Sequence, residues 1–271
     1  MKHVSFQGER GAYSEAASIS FFGNEIDAIP CSTFANALKN TENGSSDYTV
    51  LPVENSLAGS VGESNDLLLS TKLHVVGEVY HRIHHCFIGT GSLEDVNTVY
   101  SHPQALGQCR QFIQENSLKT IPSYDTAGSV KIIKGLNKNS IACIASKSAA
   151  EIFGIPVIQE GIEDNTNNYT RFLIFSKETS NKTKSSKTSI IFSVKHEAGA
   201  LHQIINEFYQ HKINLTKIES RPNKNTALEY NFYVDFEGHQ DDPSIKDVLE
   251  KLRENTTFMK ILGSYPIAKL D

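Results

Sequence analysis

The sequence predicts an α/β protein built in two parts, and three observations carry that expectation. Short β-rich apolar runs alternate with helical patterns over the first 176 residues. A stretch without a single apolar residue follows at 176–188. The remainder then arranges its strands and helices as βαββαβ, the ferredoxin-like split unit. Charge divides at the same place: residues 1–176 hold 12 Lys and Arg against 18 Asp and Glu, and residues 177–271 hold 14 against 13. A span with nothing to bury cannot join a core, so 177–187 reads as a linker between a domain over 1–176 and a domain over 188–271.

In the first part, residues 3–7, 48–53, 98–100, 141–145 and 172–175 read as buried strands, being brief, rich in β-formers and bounded by polar residues, Gly or Pro. Helical patterns lie at 14–22, 33–40, 104–115, 126–136 and 147–153. Such alternation implies α/β layers on mostly parallel sheets, in one sheet or two lobes. In the second part Ile190, Phe192 and Val194 alternate as in a strand, and Leu201, Ile204, Ile205 and Phe208 fall at helical spacing. A strand near 216–219 follows, then the alternating Tyr230, Phe232, Val234 and Phe236. Ile245, Val248, Leu249 and Leu252 are again helical, before a last strand at 261–265. A small sheet with both helices on one face leaves open edges, which predicts pairing with a second copy.

Composition narrows the function. With 39% hydrophobic and 21% charged residues the chain can bury a core. No apolar run approaches the ~20 residues of a membrane span. Polar residues come too early for a signal peptide, so a cytoplasmic protein is expected. A net charge of -5 argues against nucleic acid or an anionic membrane as the partner. Cys31, Cys86, Cys109 and Cys143 stand far apart with no CxxC pair, which predicts reduced thiols rather than a disulfide or zinc framework.

Four helix starts are expected directly after strands: at Tyr13-Ser14, Asn55-Ser56, Pro103-Gln104 and Thr126-Ala127. Each is either a plain N-cap or part of a site for a small anion, since free N–H groups there favour negative charge and open α/β sheets bind ligands at their strand ends. Arg171 can clamp a carboxylate through its planar fork, or simply pair with Glu163 or Asp164. His81, His84, His85 and Cys86 have the composition of metal ligands. On one strand, however, His84 and His85 point to opposite faces, whereas ligands must converge. Dinucleotide, phosphate-loop and serine-hydrolase motifs are missing.

Six segments, taken in order, are specific. They are Gly8-Glu9-Arg10-Gly11-Ala12-Tyr13-Ser14, Pro52-Val53-Glu54-Asn55-Ser56-Leu57-Ala58-Gly59-Ser60-Val61, Ser101-His102-Pro103-Gln104-Ala105-Leu106-Gly107-Gln108-Cys109, Thr170-Arg171-Phe172, Gly199-Ala200-Leu201 and Glu219-Ser220-Arg221-Pro222. Through them the chain resembles the prephenate dehydratase family, a catalytic domain followed by an ACT regulatory domain, over essentially its full length. The resemblance implies a two-lobed, periplasmic-binding-protein-like catalytic domain with its site in the cleft. It implies decarboxylating dehydration of prephenate to phenylpyruvate in phenylalanine biosynthesis, with no cofactor and no metal. The chorismate mutase helices that some members carry in front are not expected, because the motifs begin at the first residues. Asp125 departs from the family, where Ser commonly precedes this Thr.

The resemblance also assigns roles. Thr170 becomes the catalytic donor to the departing hydroxyl, while Ser14, Asn55, Ser56, Gln104, Thr126 and Arg171 bind the substrate carboxylates and Phe172 packs against the ring. Phenylalanine, the end product, is expected at an interface between ACT domains in a homodimer or homotetramer. Its contacts are assigned to Gly199, Ala200, Leu201, Asn214, Leu215, Glu219, Ser220, Arg221 and Pro222. Three other readings stand beside this one: the same chemistry on arogenate, a non-catalytic amino-acid sensor, and a secreted solute receptor. A leaving-group donor beside Arg171 weighs against the sensor, and the missing signal sequence against the receptor.

Overall fold

A computed structural model describes residues 1–223, 226 and 229–270. In chain order the elements are β1 (Lys2–Gln7), α1 (Tyr13–Phe22), β2 (Ile26–Cys31), α2 (Phe34–Asn43), β3 (Tyr48–Asn55), β4 (Gly59–Ser60), α3 (Gly62–Ser70), β5 (His74–Arg82), β6 (Cys86–Gly89), β7 (Thr98–Ser101), α4 (Pro103–Gln108), α5 (Arg110–Glu115) and β8 (Lys119–Pro122). There follow α6 (Thr126–Leu136), β9 (Ile141–Ala145), α7 (Lys147–Phe153), β10 (Val157–Glu160), β11 (Tyr169–Ser176), β12 (Ser186–Ser193), α8 (Ala200–Gln210), β13 (Leu215–Pro222), β14 (Tyr230–Glu237), α9 (Pro243–Asn255) and β15 (Phe258–Pro266).

The chain gathers into two units. One comprises Met1–Asn65 and Val79–Phe172, the other Asp66–Glu78 and Leu173–Leu270, so the division runs through β5 and β11. One sheet has the order β2-β1-β3-β11-β5, with β4 paired to β3, and a second has β10-β6-β9-β7-β8. The pairings β1–β2, β1–β3, β7–β8 and β7–β9 are parallel. The expected α/β layering is therefore present as two sheets. Strand β9 explains its continuous apolar sequence by being covered on both faces. Ala142 and Ile144 pack with Phe87, Val99 and Phe112, and Cys143 and Ala145 pack with Phe6, Val130 and Ala149. Gly11 joins the sheets' flanking helices. Its φ is +84°, and a Cβ there would stand 2.5 Å from the Ala149 Cα, a space only glycine leaves.

The helix expected over 104–115 is in fact two. Cys109 turns inward at φ -119° and ends α4, and the Asp164 carboxylate accepts from the Arg110 and Gln111 N–H groups, each at 3.0 Å, to cap α5. The helix expected after Asn55 is absent: Asn55 ends β3 and the chain turns into β4. His84 and His85 lie between β5 and β6 rather than on a strand.

In the second unit the βαββαβ order is realised as an antiparallel sheet, β13-β14-β12-β15. Ile204 and Phe208 of α8 and Ile245, Val248, Leu249 and Leu252 of α9 bury against Ile190, Phe192, Val234 and Phe236. β12 begins at Ser186, inside the span read as linker, and Lys187 is buried there with its Nζ 2.8 Å from Glu78 Oε1. Lys260 reaches the same α3–β5 segment and donates to the carbonyls of Leu68, Leu69 and Thr71 at 2.8, 3.2 and 2.5 Å. A cation there satisfies the open C-terminal end of α3. Among the described residues no helix is long and apolar enough to cross a membrane.

Candidate active site

The last residue of β3 and the first residues of β11 form one wall of a cavity of about 360 Å³ in the first unit. Strand alternation decides what β11 presents to it. Thr170 and Phe172 line the cavity, and Arg171 between them does not. Arg171 is 5% exposed, with Nη1 3.9 Å from Glu54 Oε2.

Asn55 fixes this wall. Its Oδ1 accepts from the backbone N–H of Leu57 at 3.1 Å and of Ala58 at 2.9 Å, which turns the chain toward β4. Its Nδ2 donates to Asn168 Oδ1 at 2.8 Å and to Thr170 Oγ1 at 3.0 Å. Thr170 is therefore the acceptor in that bond. Its own hydroxyl proton has no acceptor among the described residues and is available to an occupant of the cavity.

The facing walls come from helix starts. Ser14 lies in the first turn of α1, Gln104 in α4, and Thr126 opens α6; all three line the cavity. His102 caps α4 by accepting from the Gln104 N–H at 3.2 Å, and the Asp125 carboxylate caps α6 through the Gly128 N–H. Burial raises the Asp125 pKa, against the pull of that N–H, and burial lowers the pKa of His102. Ser56 stands apart from the cavity: it is exposed, donates to Asn167 O at 2.9 Å and accepts from the Tyr169 N–H at 3.0 Å. Burial pushes the Cys86 thiol up to about 11 and raises Cys31, Cys109 and Cys143 as well, so none supplies a thiolate.

Tyr13, Glu63, His85 and Gln108 also line the cavity. For Gln108 the signal was in the sequence: it follows Gln104 by four residues, which on α4 puts both amides on one face. His84 binds the buried Glu163 carboxylate, Nδ1 to Oε1 at 2.8 Å, and the His85 backbone N–H donates to Oε2 at 2.9 Å. Among the described residues no group of three or more His, Cys, Asp or Glu could hold a metal ion.

The residues expected to meet an effector occupy two places in the second unit. Gly199, at φ +88°, caps α8, and Ala200 and Leu201 form its first turn. Leu215 starts β13 and Glu219, Ser220, Arg221 and Pro222 end it, while Asn214 Nδ2 donates to Glu237 Oε1 at 3.0 Å. Arg221 Nη2 lies 3.4 Å from Asp66 Oδ1.

Comparison with known proteins decides the family. A profile described as prephenate dehydratase matches residues 4–180. The chain belongs to the prephenate dehydratase family. An ACT domain profile matches residues 188–254, from the third residue of β12 nearly to the end of α9. A relative from Aquifex aeolicus, named bifunctional chorismate mutase/prephenate dehydratase, is 39% identical over 98% of this chain and 74% of its own length. One from Arabidopsis thaliana, named arogenate dehydratase/prephenate dehydratase 2, chloroplastic, is 40% identical over 97% of this chain and 72% of its own. A solved prephenate dehydratase from Arthrobacter aurescens, in complex with L-Phe, superposes with a TM-score of 0.90 at 29% identity, covering 98% of this chain and 90% of that one. The family's two-domain fold is thus that of this chain, with the cavity inside the segment the first profile spans.

Proposed function

We propose that the chain converts prephenate to phenylpyruvate, and that Thr170 is the residue that helps the ring hydroxyl leave. In this reaction a carboxylate departs as carbon dioxide and its bonding pair enters the ring. The ring expels the hydroxyl oxygen with its own pair, and that oxygen takes up one proton, supplied in net terms by solvent, to leave as water. Aromatisation drives the step and the substrate is its own electron sink, so the enzyme's task is to steady the leaving oxygen and hold the rest of the molecule still. The observation that carries this reading is the Thr170–Asn55 bond. By occupying the Thr170 oxygen as acceptor, Asn55 leaves the hydroxyl proton for the cavity. A hydrogen bond from it strengthens as charge develops on the departing oxygen. Ser14, Gln104 and Thr126 supply donors from the facing helices, and Phe172 packs against the ring. Arg171 acts from behind β11, and Ser56 ties the chain after β3 to Asn167 and Tyr169, where β11 begins.

Residues 1–176 serve as the catalytic domain, joined by 177–185 to a regulatory domain that begins with β12 at Ser186 rather than at 188. Phenylalanine binds where two ACT domains of a homo-oligomer meet. There the α8 start of one copy and the Glu219–Pro222 end of β13 of another contribute together. The name of the Arabidopsis relative makes arogenate the second substrate to test. The test is phenylpyruvate formation from prephenate by the purified chain at neutral pH, with and without phenylalanine, and phenylalanine formation from arogenate in parallel. Turnover of prephenate that phenylalanine depresses is the expected result. Inertness toward both substrates would overturn the reading.

A further inference from the structure

Two backbone amides decide the direction of a whole row of hydrogen bonds. The N–H groups of Leu57 and Ala58 can only donate, so the Asn55 atom they meet is its oxygen. A Gln108 amide atom lies 3.4 Å from that same oxygen and must be the nitrogen, which turns Gln108 Oε1 toward His85 Nε2, 2.9 Å away. A carbonyl oxygen only accepts, so His85 carries a proton on Nε2. Its Nδ1 lies 2.9 Å from the Tyr13 hydroxyl, whose oxygen is also 2.6 Å from the His84 carbonyl. In the neutral ring Nδ1 accepts from Tyr13. In the charged ring Nδ1 donates to the Tyr13 oxygen, and Tyr13 donates its own hydroxyl hydrogen bond to the His84 carbonyl. Nε2 holds its proton in both states, so the bond to Gln108 survives either way.

We propose that His85 is a positioning residue for the dehydration, holding the Gln108 nitrogen toward Asn55 and so supporting, beside the Leu57 and Ala58 N–H groups, the row that ends on Thr170. This rests on the reading of Thr170 as the leaving-group donor. Each group in the row donates to the next: His85 Nε2 to Gln108, Gln108 Nε2 to Asn55, Asn55 Nδ2 to Thr170, and Thr170 to the cavity. His85 is 1% exposed and its ring is held at both nitrogens, which makes it a fixed end for the row. Bonds aligned in one sense polarise one another, so the last donor is strengthened by those behind it. Turning one amide over would set two oxygens face to face. Turning Asn55 itself over would also reverse Thr170 into a donor toward Asn55 and take its proton from the substrate.

The experiment begins with the unmodified chain on prephenate; if it is inert, the functional reading fails before this one is reached. With activity in hand, His85→Leu, which has no donor, and Gln108→Glu, which accepts on both sides, are compared with His85→Gln, whose amide can restore a donor near Nε2. The first two are expected to lose roughly 10- to 100-fold in kcat, with KM changed less than about threefold, and His85→Gln to retain most of the turnover. In a Thr170→Ala background neither loss should exceed about twofold, because the row then ends on nothing. Nitrogen NMR of the unmodified protein supplies a readout that does not depend on a variant folding, and the ring is expected to keep its Nε2 proton throughout the active pH range. Unchanged kcat in folded His85→Leu, losses that multiply in the Thr170→Ala background, or a His85 ring protonated on Nδ1 alone would each overturn the proposal.

Discussion

Replacing Asn55 with aspartate tests the donor assignment at the atom where it is made. The new carboxylate keeps the oxygen that Leu57 and Ala58 need, at 3.1 and 2.9 Å. Where Nδ2 stood, it places a second oxygen facing Thr170 Oγ1, Asn168 Oδ1 and the Tyr169 carbonyl, 3.0, 2.8 and 3.2 Å away. Asn168 can answer by turning its amide over, since its Nδ2 is buried without a partner among the described residues and gains one in doing so. Thr170 can answer only by donating its proton to Asp. Five donors surround the carboxylate, so the fold is expected to survive, but the Tyr169 carbonyl loses its donor and stability should fall by about 1–3 kcal/mol. Turnover should fall by the value of one transition-state donor, ~10²–10³, or roughly 3–4 kcal/mol. A negative charge in an anion's cavity also raises KM, so the decisive quantity is non-additivity. Steady-state kinetics of Asn55→Asp, Thr170→Ala and the double variant should show the double losing no more than about threefold beyond Thr170→Ala. If Asn55→Asp keeps full turnover, or if the two losses multiply, the argument that Asn55 frees the Thr170 proton is wrong.

Three further outcomes are expected. Gly11→Ala meets the Ala149 backbone at 2.5 Å with φ at +84°, so it should cost at least ~3 kcal/mol in urea unfolding, whereas Gly23→Ala, with the same φ and open space, should cost about 1 kcal/mol. Lys187→Met removes the cation that stands 2.8 Å from the Glu78 carboxylate, a side chain 0% exposed. It should cost roughly 3–5 kcal/mol, and pairing it with Glu78→Leu should return most of that in a denaturation midpoint. Burial lowers the pKa of His81, His85 and His102, so the unfolded chain binds more protons and stability falls as pH drops below ~6.5. Burial also pushes the Glu163 carboxyl upward, but the His85 N–H and His84 outweigh it and leave the pKa lowered, so stability present above ~4.3 is lost as pH falls further. A melting temperature that is flat from pH 7 to 5 would contradict the histidine part.

Much of the architecture was legible because its elements are locally consistent. Residues 141–145 are apolar throughout and buried on both faces, and Thr126 follows a carboxylate that caps its helix. What escaped depends on distant partners. Lys187 reads as solvated linker because its counter-ion, Glu78, is 109 residues away. The break at Cys109 is set by Asp164, which no window around α4 contains. The strands at Ile26–Cys31 and His74–Arg82 carry Pro30 and Gly77, which weaken a local strand signal. In the site, motif matching grouped Thr170, Arg171 and Phe172, whereas the two-residue strand period separates Arg171 from its neighbours. His85 drew notice as a metal ligand, and its two ring partners come from residues 13 and 108.

The grip on the α3–β5 segment bears on how separable the chain is. Lys187, Arg221 and Lys260 come from three different strands beyond residue 185, and all of them hold the stretch from Asp66 to Glu78. A protease that nicks the polar run before Ser186 would therefore yield two fragments that stay together, because the C-terminal one keeps its hold on a piece of the other. A graft of residues 188–271 onto another enzyme would start after Lys187, leave that cation behind, and meet no carboxylates placed for Arg221 or carbonyls for Lys260. The portable unit in this protein is discontinuous: the C-terminal strands together with thirteen residues from the middle of the catalytic half.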